Sequence, residues 1–314
     1  MATHLPARGG ADGARRTRRA VRLSTPDRMA IAVMVLIPLI VVGGLVWLPT
    51  VASVLLSFTS WDGIGSVTSA HWVGTQNYRQ LATINPQFWP AVEHNLIWLG
   101  FLAFIATPFG LLLAFQLDKE IRGSRVYQSI FYLPVVLSFA IIGFIWQLVY
   151  SPTQGLINNL TGNPSHGHVI DWLGDPSLNL WAILVAAGWR HVGYVMILYL
   201  AGLKAVDRSL REAAAIDGAS EWRSFRSVIF PVLRPINIVI VVVTVIEALR
   251  AFDLVYIVNR GRNGLELLSV LVTDNIIGEA SRIGYGSAIA VLLMMISIVP
   301  IVVFVSNSFQ ERQT

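Results

Sequence analysis

The chain has 314 residues, of which 54% are hydrophobic and only 13% are charged, and it contains no cysteine. This composition excludes an ordinary soluble domain and places the chain in the membrane class. The lack of cysteine excludes disulfides, thiolate nucleophiles, iron–sulfur clusters and cysteine-bound zinc. The formal net charge of +5 does not indicate nucleic acid, because seven of the 23 basic residues precede the first apolar run and point instead to membrane orientation.

Six apolar segments follow along the chain, each long enough to cross about 30 Å of hydrocarbon, which takes about 20 helical residues. Backbone polar groups in lipid must be satisfied within their own segment, and the alternation of a barrel strand is missing, so each segment is predicted to be a helix. The fold class is therefore an all-α integral membrane protein with six transmembrane helices. The predicted spans are residues 29–56, 91–117, 126–150, 178–203, 228–251 and 284–305.

Lys and Arg accumulate in cytoplasmic connections, so their distribution predicts the orientation of the spans. The N-terminal tail 1–28 carries seven arginines, and the second and fourth connections carry three and five basic residues, which places all three inside. The first and third connections together carry one basic residue, Arg79, and are placed outside. The fifth mixes three arginines with four acids and fits least well. We expect cytoplasmic termini, a disordered basic tail over residues 1–28 and one transmembrane domain over residues 29–314.

Motifs for catalysis and nucleotide binding are missing from the sequence. The only lysines, Lys119 and Lys204, follow no glycine-rich loop, so any ATP must be hydrolysed by another chain. H-E-x-x-H pairs and G-x-S-x-G elbows do not occur, and His166 and His168 in an outer loop are too short a pattern to predict a metal site. The sequence predicts neither an enzyme nor a bound metal or cofactor.

A hydrophilic segment, REAAAIDGASEWRSF at residues 211–225, interrupts the apolar chain between the fourth and fifth spans. Its first part favours helix, Asp217 and Gly218 form a turn pair, and Ser220 is suited to cap a second helix. The sequence thus predicts helix, sharp turn and helix within the connection 204–227. Small side chains around a glycine let another backbone approach closely, which favours a docking surface, although a solvated alanine-rich linker explains the pattern equally well.

This segment resembles the E-A-A-x3-G-x9-I-x-L-P signature of permease subunits of binding-protein-dependent ABC importers. The matching residues are Glu212, Ala213, Ala214, Gly218 and Pro231, with Val228 and Phe230 as conservative departures. In that family the loop is a coupling helix that sits in a groove of the ATPase, so the resemblance implies that residues 211–231 couple this chain to a separate ATPase subunit. Residues 94–160 are similar to the core of maltose-type and glycerol-phosphate-type sugar permeases, and the whole resemblance covers about residues 90–306.

The resemblance implies the architecture of a type I ABC importer permease in the bacterial cytoplasmic membrane. The C-terminal residues 306–314 lack the tail of the partner permease, which implies the MalF-like half of a heterodimer. Implied partners are a second homologous permease, two ATP-binding subunits that hold ATP and magnesium, and an extracytoplasmic binding protein that delivers a sugar or sugar-like solute. Two departures from the family stand out: Asp207 replaces the usual proline before the motif, and residues 259–264 replace a glycine-proline-rich turn.

Polar residues inside the predicted spans are candidates for the solute path, because their burial in lipid is costly. The candidates are Ser138, which is similar in position to a sugar-site residue of maltose-type relatives, and Arg190, His191, Thr244, Glu247 and Arg250. Candidate rings for stacking on a sugar are Trp146, Trp189, Tyr194, Phe252 and Tyr256. A structural role stays open for each set: Glu247 pairing with Arg250, Arg190 bonding to backbone carbonyls, and the rings packing against one another.

Two other classes of function stay open. An ion-coupled secondary transporter needs carboxylates deep in the membrane, and the midspan regions carry few. A non-transport membrane scaffold that docks a cytosolic partner accounts for the alanine-rich loop but not for Arg190 and His191 inside a span. Co-purification of an ATPase subunit favours import, whereas ion-driven flux without nucleotide favours the carrier.

Overall fold

The structure is a computed structural model that describes residues 24–119, 121–161, 169–278 and 281–310. Most of the predicted basic tail and the pair His166 and His168 lie outside the described residues. Within the described ranges the chain forms α-helices joined by turns, with no named strand. The helices in chain order are α1 Thr25–Leu56, α2 Gln76–Thr83, α3 Phe88–Asp118, α4 Ser124–Val136, α5 Phe139–Val149, α6 Leu156–Leu160, α7 Asn179–Ala205, α8 Arg208–Ile216, α9 Glu221–Val232, α10 Arg234–Leu249, α11 Asp253–Asn259, α12 Leu268–Ile276 and α13 Ile283–Gln310.

By length and composition, α1, α3 and α7 are long and apolar enough to cross a membrane. The bent pairs α4 with α5, and α9 with the helical stretch Arg234–Asn259, raise the number to five if each pair is one span. The sixth predicted span coincides with α13, which is 28 residues long. The all-helical membrane fold expected from the sequence is thereby confirmed.

The chain divides into two compact units, residues 1–51 and 52–314. In the first unit, α1 begins four residues before the predicted span. Ser24 caps it by accepting a hydrogen bond from the Asp27 amide, while the Asp27 carboxylate accepts from the Ser24 amide at 3.1 Å. None of the residues Thr25–Trp47 is buried, and they are almost entirely apolar after the first turn, as hydrocarbon surroundings require.

Three helices, α1, α3 and α9, contain a wide turn in which each amide bonds to the carbonyl five residues earlier, and each wide turn ends two residues before a proline. These turns are Gly43–Trp47 before Pro49, Leu102–Ala106 before Pro108, and Phe225–Ile229 before Pro231. A proline has no amide hydrogen, and its ring clashes with the carbonyl four residues earlier. The extra residue in the turn moves that carbonyl aside, so the helix continues through the proline instead of ending there.

The third predicted span, residues 126–150, is divided rather than continuous. Helices α4 and α5 meet at a bend of 103°. Leu137 is extended at the junction, and the Ser138 hydroxyl caps α5 by accepting a hydrogen bond from the Ile141 amide at 3.3 Å. Pro134 removes a backbone donor just before the junction. The missing donor and the hydroxyl cap together favour a break over a straight helix.

The fifth predicted span begins later than residue 228 suggests, because Val228 lies inside α9. A bend of 75° separates α9 from the next helix at Leu233. Pro235 occupies the first turn of α10, where its missing amide hydrogen is tolerated but where its ring prevents the preceding helix from running straight on. The second half of the polar loop, residues 211–231, therefore belongs to α9.

Helix α7 is central to the second unit. It packs most extensively on the second half of α3 and also on α4 and α10, and more than half of its 27 residues are buried. Gly193 permits the approach of α4, since a Cβ at that position would lie 2.1 Å from the Phe131 carbonyl oxygen. This packing carries Arg190 and His191 into the interior of the unit.

Candidate translocation site

A cavity of about 350 Å³ lies beside α7 and α10. Four of its lining side chains are aromatic: Trp98, Phe139, Tyr194 and Phe252. Four more are charged: Arg190, Glu247, Arg250 and Asp253. Such a lining offers flat apolar surfaces next to a small number of polar groups, which is the usual composition of a small-molecule site.

Arg190 and Glu247 form an ion pair between α7 and α10, from the guanidinium Nη1 to the carboxylate Oε1. The guanidinium carbon also lies 4.3 Å from the centroid of the Phe139 ring. The two charged side chains are only 21% and 26% exposed. The Nε atom of Arg190 is buried and has no hydrogen-bond partner in the described part of the chain. Arg190 is thus fixed by a carboxylate and a ring while one of its donors stays unused.

His191 connects this ion pair to a third span. Its Nδ1 lies 2.6 Å from Oε2 of Glu247, so both carboxylate oxygens have partners. Its Nε2 lies 3.2 Å from the Thr107 hydroxyl on α3 and 3.3 Å from the Thr244 hydroxyl on α10. With its side chain 1% exposed, His191 is held entirely by these contacts and by packing. The polar cluster therefore joins α3, α7 and α10.

The structure divides the predicted path residues into three groups. Arg190, Glu247 and Arg250 line the cavity. His191 and Thr244 are buried and contact each other, and His191 also contacts Glu247. Ser138 is the cap of α5 and is not among the described residues that line the cavity, although its neighbour Phe139 is.

The pair of Glu247 with Arg250 that the sequence left open does not form, because Glu247 turns to Arg190 and His191 on α7. Arg250 follows the last residue of α10, where the helix ends, and its side chain is exposed and lines the cavity instead. Spacing along α10 allowed the pair within the helix, but the packing of α7 offered the carboxylate two closer partners.

Among the candidate rings, Tyr194 and Phe252 line the cavity. Trp146 packs edge-on against Trp189 with ring centroids 5.9 Å apart, and Tyr256 stacks on Phe252 at 4.8 Å. Sequence reasoning missed three of the aromatic and charged lining residues, Trp98, Phe139 and Asp253. Phe139 directly follows Ser138, and Asp253 is an acid three residues after Arg250, so both had a signal nearby. Trp98 had none in its uniformly apolar segment.

The polar loop folds as the sequence predicts, into two helices joined by a sharp turn. Gly218 adopts the left-handed conformation, with φ of 75°. The Gly218 amide donates to the Ala215 carbonyl and the Ala219 amide to the Ala214 carbonyl, both at 3.0 Å, which is the hydrogen-bond pattern of a Schellman turn. The Ser220 hydroxyl then caps α9 by accepting from the Arg223 amide. Backbone hydrogen bonds therefore close the turn at the end of α8, and the Ser220 cap closes it at the start of α9.

The motif residues of the loop differ in exposure. Glu212 is exposed and forms an ion pair with Arg208 at 3.1 Å, while Ala214 is buried. Ala213, Gly218 and Pro231 are exposed. Sequence reasoning gave no role to Ile216, which ends α8 with 86% of its surface exposed. The loop therefore presents small residues and several large apolar side chains to its surroundings, with Ile216 the most exposed of them and Trp222 59% exposed.

Asp207, which stands where the family usually has proline, caps α8. Its carboxylate accepts a hydrogen bond from the Ser209 amide at 2.9 Å. This backbone hydrogen bond, together with one from the Ser209 side chain, lowers the pKa of Asp207. The departure therefore replaces a rigid helix start with a capped one and keeps the beginning of the loop helix defined.

A helical membrane protein whose spans surround a polar, aromatic-lined cavity has the construction of a solute permease. Residues 106–314 match the model of the family described as the binding-protein-dependent transport system inner membrane component, and the chain belongs to that family. This confirms the resemblance carried by the loop motif: the chain is the permease component of a binding-protein-dependent ABC transport system, not its ATP-hydrolysing enzyme.

Individual relatives agree with this assignment. The chain is 30% identical over 292 residues to a probable ABC transporter permease protein of Pyrococcus horikoshii, covering 92% of this chain and 99% of the relative. It is 31% identical over 225 residues to the trehalose/maltose transport system permease protein MalF of Thermococcus litoralis, covering 72% and 76%. The crystal structure of a bacterial ABC transporter involved in the import of the acidic polysaccharide alginate contains a chain with the same fold, with a TM-score of 0.77, 19% identity, and coverage of 90% and 96%.

Proposed function

We propose that the chain forms half of a translocation pathway for a carbohydrate or a related polyhydroxylated solute. The observation that carries this proposal is the cavity beside α7 and α10, which is lined by four aromatic rings and four charged side chains. The CH groups on the face of a sugar ring pack against aromatic rings, and its hydroxyls exchange hydrogen bonds with charged groups at the edge. Curated relatives named as trehalose/maltose and xylose/arabinose permeases support the same solute class.

The charge balance of the cavity favours an uncharged solute. Two arginines and two carboxylates line it, so its formal charge is zero. Arg190 is already neutralised by Glu247, which leaves Arg250 and Asp253 as the charged groups without an ion-pair partner in the described structure. A solute with many hydroxyls engages one donor and one acceptor of this kind without bringing a net charge into the membrane.

The polar loop 211–231 is the surface through which the chain couples to its ATPase. A second homologous permease completes the pathway, two ATP-binding subunits hold ATP and magnesium, and an extracytoplasmic binding protein delivers the solute. The orientation predicted from Lys and Arg places the loop and both termini in the cytoplasm of a bacterium. The closed turn at Gly218 supports this role, because a stiff loop transmits movement of a docked partner instead of deforming.

The proposal is tested by expressing the chain with its transport partners, reconstituting the complex in vesicles with the binding protein outside, and measuring ATP-dependent uptake of a panel of radiolabelled sugars. We expect uptake of at least one neutral sugar that needs ATP and the binding protein. Arg250→Ala is expected to raise the solute concentration for half-maximal uptake about tenfold, as the loss of a charged hydrogen bond implies.

Arg79→Ala is the matched control, because Arg79 is an exposed arginine on α2 and does not line the cavity. It removes the same charge and is expected to leave uptake unchanged. Uptake that needs an ion gradient but no nucleotide contradicts the importer and favours a secondary carrier. Equal effects of the two arginine variants contradict the assignment of the cavity.

A further inference from the structure

The coupling loop is covalently joined to α7 and α10, yet the structure fastens it to a different span. Both helices of the loop, α8 and α9, make side-chain contacts with the last residues of α3. That end of α3 belongs to the second predicted span, which is more than 80 residues away in sequence from the loop. The contacts therefore bring a third helix end to the loop.

Arg211 makes the first attachment. Its Nη1 lies 2.5 Å from Oδ2 of Asp118, the last residue of α3, and its Nη2 donates to the Leu203 carbonyl at 2.8 Å, in the last turn of α7. The Asp118 side chain is only 9% exposed and that of Arg211 is 33% exposed. A single planar guanidinium thus connects α8 with the ends of both α3 and α7, a geometry that the single ammonium of lysine does not reproduce.

A second attachment runs from α9 to the same helix end. Lys119 Nζ lies 2.5 Å from Oε2 of Glu221 and 4.8 Å from the centroid of the Phe115 ring. Phe115 in turn packs against Phe225 with ring centroids 4.8 Å apart, and Phe225 is 5% exposed. Because the side chain of Glu221 is 76% exposed, its ion pair with Lys119 is weaker than that of Arg211 with Asp118.

We propose that Arg211 is a positioning residue that locks the coupling loop to the inner end of α3, so that movement of the docked ATPase reaches the second span directly. This inference rests on the proposed function. Without the lock, the loop follows the ATPase, and its described side-chain attachments to the end of α3 are reduced to the Phe115 ring and an exposed ion pair. ATP hydrolysis then continues, but less solute is carried for each ATP.

The ratio of solute carried to ATP hydrolysed distinguishes this role from a merely structural one, because loss of folded complex lowers both quantities together. Arg211→Gln is expected to lower the ratio about five- to tenfold, within the usual range of coupling between sites. Lys204→Gln is the matched control: Lys204 is exposed at the end of α7, and no hydrogen bond or ion pair of its side chain is found in the described structure. The control is expected to keep the parental ratio.

A reversible cross-link provides the sharper test, because the chain contains no cysteine of its own. In Asp118→Cys/Arg211→Cys the ion pair is lost, and the ratio is expected to fall as in Arg211→Gln. A short bis-methanethiosulfonate reagent that bridges the two thiols is expected to restore it at least in part, and reduction of the bridge to lower it again. Such a rescue requires the two positions to move together during transport.

The proposal is overturned if bridging abolishes the remaining uptake, because the two helix ends must then separate, or if Arg211→Gln leaves the ratio unchanged. Failure of the proposed function has a different appearance. In that case the parental chain itself brings down no ATPase or shows no ATP-dependent uptake. If the parental complex transports and the Arg211 variants keep the same ratio as Lys204→Gln, the import function stands and the lock does not exist.

Discussion

Two arginine–carboxylate pairs connect different helices of this chain, and their surroundings differ. Arg190 and Glu247 lie among the spans, where His191 holds the second carboxylate oxygen. Arg211 and Asp118 lie at the helix ends next to the polar loop, where the arginine is one-third exposed. An arginine left without its carboxylate is more costly among the spans, where Arg190 is 21% exposed, than at the helix ends, where Arg211 is 33% exposed. We therefore expect loss of the Arg190–Glu247 pair to affect whether the helices assemble, and loss of the Arg211–Asp118 pair to affect how they move.

The largest effect is expected at the Arg190–Glu247 pair. Glu247→Ala leaves Arg190 and His191 without their carboxylate, and breaking a buried pair of this kind destabilises a protein by about 3–5 kcal/mol. We expect a lower midpoint of thermal unfolding in detergent and poor recovery of monodisperse protein, both measured by fluorescence-detected size exclusion.

Glu93→Ala is the control for this change. Glu93 is an exposed carboxylate in α3 that makes no side-chain hydrogen bond or ion pair in the described structure. It is expected to unfold like the parental chain. If Glu247→Ala were equally stable, the cluster around His191 would not hold the three spans together, and the contrast between the two pairs would disappear.

A second effect is expected on the exposed face of the loop. Ile216 exposes 86% of its surface, and a large apolar side chain at the centre of an interface commonly contributes about 2 kcal/mol to binding. Ile216→Asp is expected to weaken binding of the ATPase about thirtyfold without changing thermal stability, as measured by co-purification over a range of detergent-solubilised ATPase concentrations.

Ile277→Asp is matched to this variant, because Ile277 is 79% exposed after α12, far from the loop in sequence. Its ATPase affinity is expected to equal that of the parental chain. Equal loss in both variants would indicate a general effect of surface charge, and no loss in either would place the ATPase contact elsewhere on the loop.

The two regions also differ in how well the sequence predicts them. The turn at Gly218 and the cap at Ser220 are local features, set by residues within a few positions of one another, and the structure has both as expected. Partners across helices depend on the rotation and register of spans far apart in sequence. This is why the sequence left a pair of Glu247 with Arg250 open whereas Glu247 pairs with Arg190, and why Asp118 was not expected to meet Arg211.

The helical nature and the approximate place of the apolar segments were predictable from hydropathy, whereas helix continuity was not. The bend at Ser138 depends on a capping hydroxyl and a nearby proline, while the proline at position 108 leaves its helix unbroken through a wide turn. Proline alone therefore does not separate a break from a continuous helix. The outcome depends on whether neighbouring residues supply a cap or an extra residue in the turn.

Substitution of Gly218 in the turn of the polar loop is expected to have a smaller effect. The effect arises from the backbone conformation of that residue and not from a steric clash. A Cβ at Gly218 meets no atom within 4 Å, but φ of 75° strains a residue with a side chain. Gly218→Val is expected to cost about 2 kcal/mol locally and to lower ATP-dependent uptake severalfold. Gly218→Asn is the control, since asparagine tolerates this conformation and is expected to retain most uptake. Similar uptake in the two variants would mean that the conformation of the turn does not affect coupling to the ATPase.

The smallest effect is expected from the hydroxyls behind the cavity. The hydroxyls of Thr107 and Thr244 both approach Nε2 of His191. When one hydroxyl is removed, the other still gives that nitrogen a hydrogen-bond partner. Thr107→Val is therefore expected to lower the free energy of unfolding by only about 1 kcal/mol. The double variant Thr107→Val/Thr244→Val is expected to lose more than the sum of the single variants, because the nitrogen is then buried without a partner. Additive losses, measured as shifts in the unfolding midpoint, would mean that each hydroxyl acts alone and that His191 does not join α3 to α10.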